Sequence, residues 1–213
     1  MIVITNIFKH IKLIVVILLC SFASFAQTKA KDGKDFPAPA NKEFKNLMFY
    51  VQRTNNINTL MYEFNYNFDG ELNVKEPVKV YWKNYNTDNT SEPLNSLQRK
   101  YAYGVESHVL DSAKKTFYFN FVSYKKKSIF LIKNQITKKY EAFITLNNKL
   151  IEITRIYIHI EGGAFWTPKI KYINVYGKLP NNKNEEVVEK VIPLIMVIID
   201  LKLLSIYHLK FII

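Results

Sequence analysis

The chain has 213 residues, 48% of them hydrophobic and 15% aromatic, with 6 glycines and 7 prolines; this suits one globular domain with tails and excludes collagen-like and low-complexity classes. Its single cysteine, Cys20, excludes a disulfide framework, a cysteine-based zinc site and an iron–sulfur cluster. The formal charge is +12, but of the 30 basic residues only Arg53, Arg99 and Arg155 are arginine. Base readout and bidentate phosphate grips draw mainly on arginine, so the excess charge reads as a solvated lysine surface and not a nucleic-acid footprint. It leaves room for weak association with an anionic membrane surface.

The N-terminus begins with Lys9, His10 and Lys12, followed by an uninterrupted apolar run at 13–19. Ser24 and Ala26 then place small residues before Gln27, the order of a secretory signal peptide over 1–26. Residues 27–46 form a polar leader with a Pro37-Ala38-Pro39 spacer and read as a linker.

Alternation takes over at residue 47. Leu47, Phe49 and Val51 share one face, Leu60, Tyr62, Phe64 and Tyr66 the next, ending at an Asp69-Gly70 turn. Val78, Val80 and Trp82 predict a third strand after Pro77. Residues 84–93 read as a loop and 97–107 as a longer strand. Phe117, Phe119 and Phe121 predict another, with Lys125-Lys126-Lys127 as a charged turn into 129–132. Tyr140, Ala142, Ile144 and Leu146 run up to Asn147-Asn148, a pair suited to a tight hairpin. Residues 150–160 are partly apolar on both faces, as in a central strand, and Gly162-Gly163 should break it. Residues 170–176 form the last predicted strand, closed by Gly177, with a short helix open to 185–191.

These elements predict an all-β fold over 47–193: a single antiparallel β-sandwich of about nine strands, with an up-and-down barrel as the alternative. The apolar tail at 194–213, which carries Asp200 and Lys202, has neither a clean strand nor a clean helix period and reads as a last core element, a poor anchor or, the favoured of the three, a non-functional extension of the reading frame.

The three arginines stand out, each inside a predicted strand. Arg53 shares parity with Phe49 and Val51, and Arg99 with Leu97, Tyr101 and Tyr103, so both should face apolar or aromatic surroundings. A guanidinium there needs a partner. Glu63 and Glu106 are the candidates, with hydrogen bonds from Gln52, Asn55, Asn58 and Tyr101. The bland reading is an internal Arg–Glu–Tyr network that fixes strand register. The sharper one is a ligand site of Arg53, Asn55, Asn58, Glu63, Arg99 and Tyr101 that takes a carboxylate or phosphate. His108 and His159 lack carboxylates at metal-ligand spacing, so no metal and no cofactor is expected. No Gly-x-Ser-x-Gly motif is present, and no catalytic residue is assigned. Trp82 and Trp166 could stack on sugars, although cross-strand packing is the commoner role.

The run Asn46-Leu47-Met48-Phe49-Tyr50-Val51-Gln52-Arg53-Thr54-Asn55-Asn56-Ile57-Asn58-Thr59, continuing to Tyr62-Glu63, resembles the opening of an exported bacterial family, domain of unknown function 4833. Pro77-Val78-Lys79-Val80-Tyr81-Trp82, Gln98-Arg99-Lys100-Tyr101-Ala102-Tyr103-Gly104 and Ile170-Lys171-Tyr172-Ile173-Asn174-Val175-Tyr176-Gly177 are similar to its later blocks. The resemblance implies an exported β-rich domain and carries over no catalytic residue. The expectation is therefore a non-enzymatic envelope domain, in the periplasm or outside the cell, that binds a small or polymeric ligand or an envelope protein. The alternative is an envelope glycan or lipid hydrolase using Glu63 or Glu106 with Arg53 and Arg99.

Overall fold

The computed structural model describes residues 36–39, 43–113, 115–164 and 167–193, and strands form over most of the segments whose side chains alternate. The expected signal peptide, the 194–213 tail, residues 27–35 and 40–42 of the leader, and Trp166 lie outside them. In chain order the elements are β1 (Leu47–Arg53), β2 (Asn56–Phe64), β3 (Val78–Lys83), β4 (Ser91–Pro93), α1 (Ser96–Tyr101), β5 (Val105–Asp111), β6 (Thr116–Phe121), β7 (Tyr124–Lys133), β8 (Tyr140–Leu146), β9 (Lys149–Ala164), β10 (Thr167–Leu179) and β11 (Asn182–Val191).

The class is all-β, as expected, but the arrangement corrects the two-sheet sandwich. Nine strands follow one hydrogen-bonded path, β4-β3-β2-β1-β9-β8-β7-β6-β5, and β10 and β11 branch from β9. The sheet is mixed, because β1 pairs with β9 in parallel, Tyr50 opposite Arg155 and Arg53 opposite Ile158. It curls into a half-barrel. The length of β9 is the physical reason. Its start pairs with β8, Lys149 opposite Leu146 and Glu152 opposite Phe143, and its middle pairs with β1. Two wings thus leave one edge of β9 and fold toward each other, as the halves of a sandwich would, without ever separating into two sheets.

The core lies between the wings. Phe49 stacks on Tyr62 with ring centroids 4.7 Å apart, and Phe121 of the opposite wing meets Tyr62 edge-on at 5.5 Å. Phe64 and Tyr140 close the other end at 6.2 Å. Phe49, Leu60, Phe119, Ile129, Leu131, Leu146 and Ile151 are fully enclosed. Each such side chain contributes roughly 1.5–3 kcal/mol by leaving water.

Local chemistry explains the departures from the sequence expectation. Residues 97–107 are not one strand: Asn95 caps α1 in a reciprocal box with Gln98, and β5 starts only at Val105. Gly104 permits the sharp exit, since a Cβ there would sit 1.9 Å from the Arg99 carbonyl oxygen. The lysines at 125–127 lie inside β7, and the turn is Val122-Ser123. Gly162 and Gly163 take φ of +144° and +90° yet stay within β9, Gly163 opposite Pro168. Residues 185–191 are strand, not helix, because β11 pairs with β10 from Asn182 to Val191. The Asn147-Asn148 turn is as expected, with φ of +48° and +62°.

Part of the leader is not a free linker. Gln52 Nε2 donates to the Pro37 carbonyl at 3.0 Å, Lys83 pairs with Glu43 at 3.4 Å, and Lys83 Nζ lies 5.5 Å over the Phe44 ring. These contacts fall on the face of β1 and β3 away from the core, where Gln52 and Lys83 are buried.

Candidate functional site

Arg53 ends β1 on the core-facing side, opposite Ile158, as its parity predicts. Its guanidinium is held by aromatic rings and not by a carboxylate. The guanidinium carbon lies 4.6 Å from the Trp82 ring centroid and 5.6 Å from that of Tyr103. Nη1 donates to the Tyr103 hydroxyl at 2.8 Å, and Nε is buried without a hydrogen-bond partner. The rings are themselves fixed. Trp82 Nε1 donates to Gln98 Oε1 at 3.2 Å, which ties β3 to the first turn of α1. The Tyr62 hydroxyl donates to the Tyr103 carbonyl at 2.8 Å, and burial pushes the Tyr62 phenol well up. Stacking of this kind stabilises a desolvated guanidinium by roughly 2 kcal/mol.

The other expected residues do not gather round it. Arg99 is on α1, not in a strand, with its side chain 58% exposed and its Nη1 4.0 Å from Glu76. Tyr101 is 63% exposed at the end of the same helix, with Lys100 Nζ 5.1 Å over its ring. Asn55 sits exposed in the turn between β1 and β2. Asn58 caps a neighbouring loop instead, its Oδ1 accepting from the Asn86 amide at 3.0 Å. Glu63 lies opposite Lys79 and beside Tyr81, whose phenol is pushed up chiefly by burial and then by the Glu63 charge. Met61, Glu63 and Tyr81 share the face away from the core, so Glu63 is not the Arg53 partner. Glu106 pairs with Lys125 at 2.7 Å on the far wing. Among the described residues no hydrogen bond or ion pair joins Arg53, Glu63, Arg99 and Glu106 to one another. The bland expectation is therefore corrected in its chemistry: the cluster is Arg–Trp–Tyr, not Arg–Glu–Tyr. The available signal was Trp82, which continues the Val78 and Val80 stripe inward.

Arg155 shows the same device on the opposite face. An extra residue, Thr154, falls where Tyr176 pairs with Arg155 but Gly177 pairs with Ile153. Beyond that bulge Ile156 faces the core and Arg155 faces away, its guanidinium carbon 4.2 Å over Tyr176. Gly177 is required there, since a Cβ would come within 2.3 Å of the Ile151 side chain. His159 is buried and stacks on Tyr172 at 4.5 Å, and His108 stacks on Tyr118 at 5.0 Å. Both histidines are packing residues. No cluster of three or more metal-ligating side chains occurs among the described residues.

The open feature lies along β3. Strand β4 covers only Tyr81, Trp82 and Lys83, because Pro93 ends it and the chain turns into α1. No described strand pairs with residues 78–80 on that edge. A shallow groove of about 420 Å³ runs beside it, lined in part by Glu76, Lys79, Glu92 and Arg99. Here Arg99 is a groove residue and not part of the Arg53 cluster.

A family model described as Domain of unknown function (DUF4833) matches residues 49–190. The chain belongs to that family. The match runs from β1 to β11 and takes in both the Arg53 cluster and the β3 groove. In this DUF4833 chain the block Gln98–Gly104 does three jobs: Gln98 holds Trp82, Tyr103 holds Arg53, and Gly104 lets the chain leave α1. No curated protein and no solved structure matches the chain.

Proposed function

We propose that this DUF4833 chain is an exported, non-enzymatic binding domain that takes an extended, acidic polypeptide segment along the free edge of β3. Export rests on the residue order at 1–26. The binding reading is carried by one observation: a groove that borders residues 78–80, which lack a strand partner on that side. Small-molecule sites are enclosed and largely apolar, whereas an open edge beside a shallow groove suits strand addition. A peptide would continue the line of β4 past Pro93. Lys79 and Arg99 line it alongside Glu76 and Glu92, and the acidic preference comes from the chain's net charge, +12 over the full sequence and 12 − 2 = +10 once Lys9 and Lys12 leave with residues 1–26. The Glu76–Arg99 pair is long and exposed, so an incoming carboxylate displaces it at little cost.

Panning a displayed library of random short peptides against the full chain tests this. Acidic binders are expected, with affinity about tenfold weaker for Arg99→Glu. A library that yields no binder, or binders indifferent to Arg99→Glu, contradicts it.

A further inference from the structure

Strand β11 is a second free edge, and its sequence is its own complement. It pairs with β10 on one side, and no described strand pairs with the other. Cross-strand register sets its faces: Glu186 lies opposite Lys178, Val188 opposite Tyr176 and Lys190 opposite Asn174, so these three share the outer face. All three are exposed, Val188 to 44%. Lys190 lies over the Tyr172 ring at 4.1 Å, and among the described residues neither it nor Glu186 forms an ion pair. The opposite face is already engaged, with Lys127 paired to Glu189 and the Asn147 amide donating to Glu189 at 2.8 Å. That binding outweighs burial and holds the Glu189 carboxyl below its ordinary range.

We infer that two copies of this chain join edge to edge through antiparallel β11 strands, with Val188 on the twofold axis. Reversing a strand that reads Glu-x-Val-x-Lys brings Lys190 of the partner subunit opposite Glu186 and the partner's Val188 opposite Val188. Opposite charges directly across an antiparallel pair are favourable, and like charges are not. The symmetry doubles the Glu186–Lys190 pair. The pairing with β10 is irregular between Asn182 and Glu186, so the regular edge open to a partner is Glu186–Val191, the stretch that carries the Glu-x-Val-x-Lys pattern. This inference does not depend on the β3 groove.

The experiment is sedimentation of the full chain over a concentration series, with a charge swap. Glu186→Lys alone and Lys190→Glu alone each place two like-charged pairs across the joint and are expected to weaken dimerisation by at least about tenfold. The double variant E186K/K190E restores both pairs and is expected to restore the dimer. Both positions are exposed, and an unchanged far-ultraviolet circular dichroism spectrum shows that each variant folds, a readout that loss of the dimer leaves in place. A chain that stays monomeric throughout, a dimer insensitive to the single changes, or single losses that the double variant fails to rescue would each overturn the inference.

Discussion

Arg53 and Arg99 are the same side chain in two opposite situations. Arg53 is pinned between Trp82 and Tyr103, and its hydrogen-bond partner is a phenol held in turn by the core. Arg99 is more than half exposed and faces a carboxylate 4.0 Å away across a groove. The contrast teaches that burial next to aromatic rings spends an arginine on architecture, whereas a loosely paired arginine beside a free strand edge leaves most of its donors to solvent. The two regions are linked by α1, because Gln98 anchors Trp82 and the next residue is Arg99.

The largest test of that contrast is Trp82→Ala. It removes an almost fully buried ring and leaves Arg53 without its main face, so we expect a loss of about 3–5 kcal/mol in chemical denaturation. A loss under about 1 kcal/mol would show that Arg53 does not need the ring. Tyr103→Phe is milder. It keeps the ring and deletes the acceptor of the Arg53 Nη1 hydrogen bond, with an expected cost of about 1.5–3 kcal/mol. Arg99→Ala should be the smallest, within about 0.5 kcal/mol by the same denaturation, since the exposed pair with Glu76 contributes little. If Arg99→Ala destabilises as much as Tyr103→Phe, the two arginines are not different in kind.

Much of the fold was legible because one face of each early strand is buried. Phe49, Val51, Leu60, Tyr62 and Phe64 fall where alternation puts them, and Asn147-Asn148 forms the expected turn. What was not legible depends on events that alternation does not encode. The bulge at Thr154 reverses the faces of β9, so simple parity from Ile151 would send Arg155 inward. The parallel pairing of β1 with β9 joins segments about a hundred residues apart in the chain, and nothing local marks it. The helix α1 occupies one and a half turns, too short for a periodic signal, and only the Asn95 and Gln98 cap betrays it. Strand β11 was hidden by its charges, since a largely exposed edge strand has no apolar stripe to read.

The site was legible in part. Parity correctly turned Arg53 toward the core, and the need for a partner was sound physics. The partner was misassigned because a buried guanidinium can be satisfied by aromatic faces as well as by carboxylates. Placing Arg99 in a strand put it beside Arg53 in expectation; the α1 cap moved it to the groove.

The central claim is that the free edge of β3 receives a partner while the Arg53 cluster stays structural. Backbone amide hydrogen exchange, measured with and without a library-selected acidic peptide, tests it most directly. The account predicts new protection at residues 78–80 and no change at Arg53 and Tyr103. Protection centred on Arg53 and Tyr103, with the β3 edge unaltered, would contradict it.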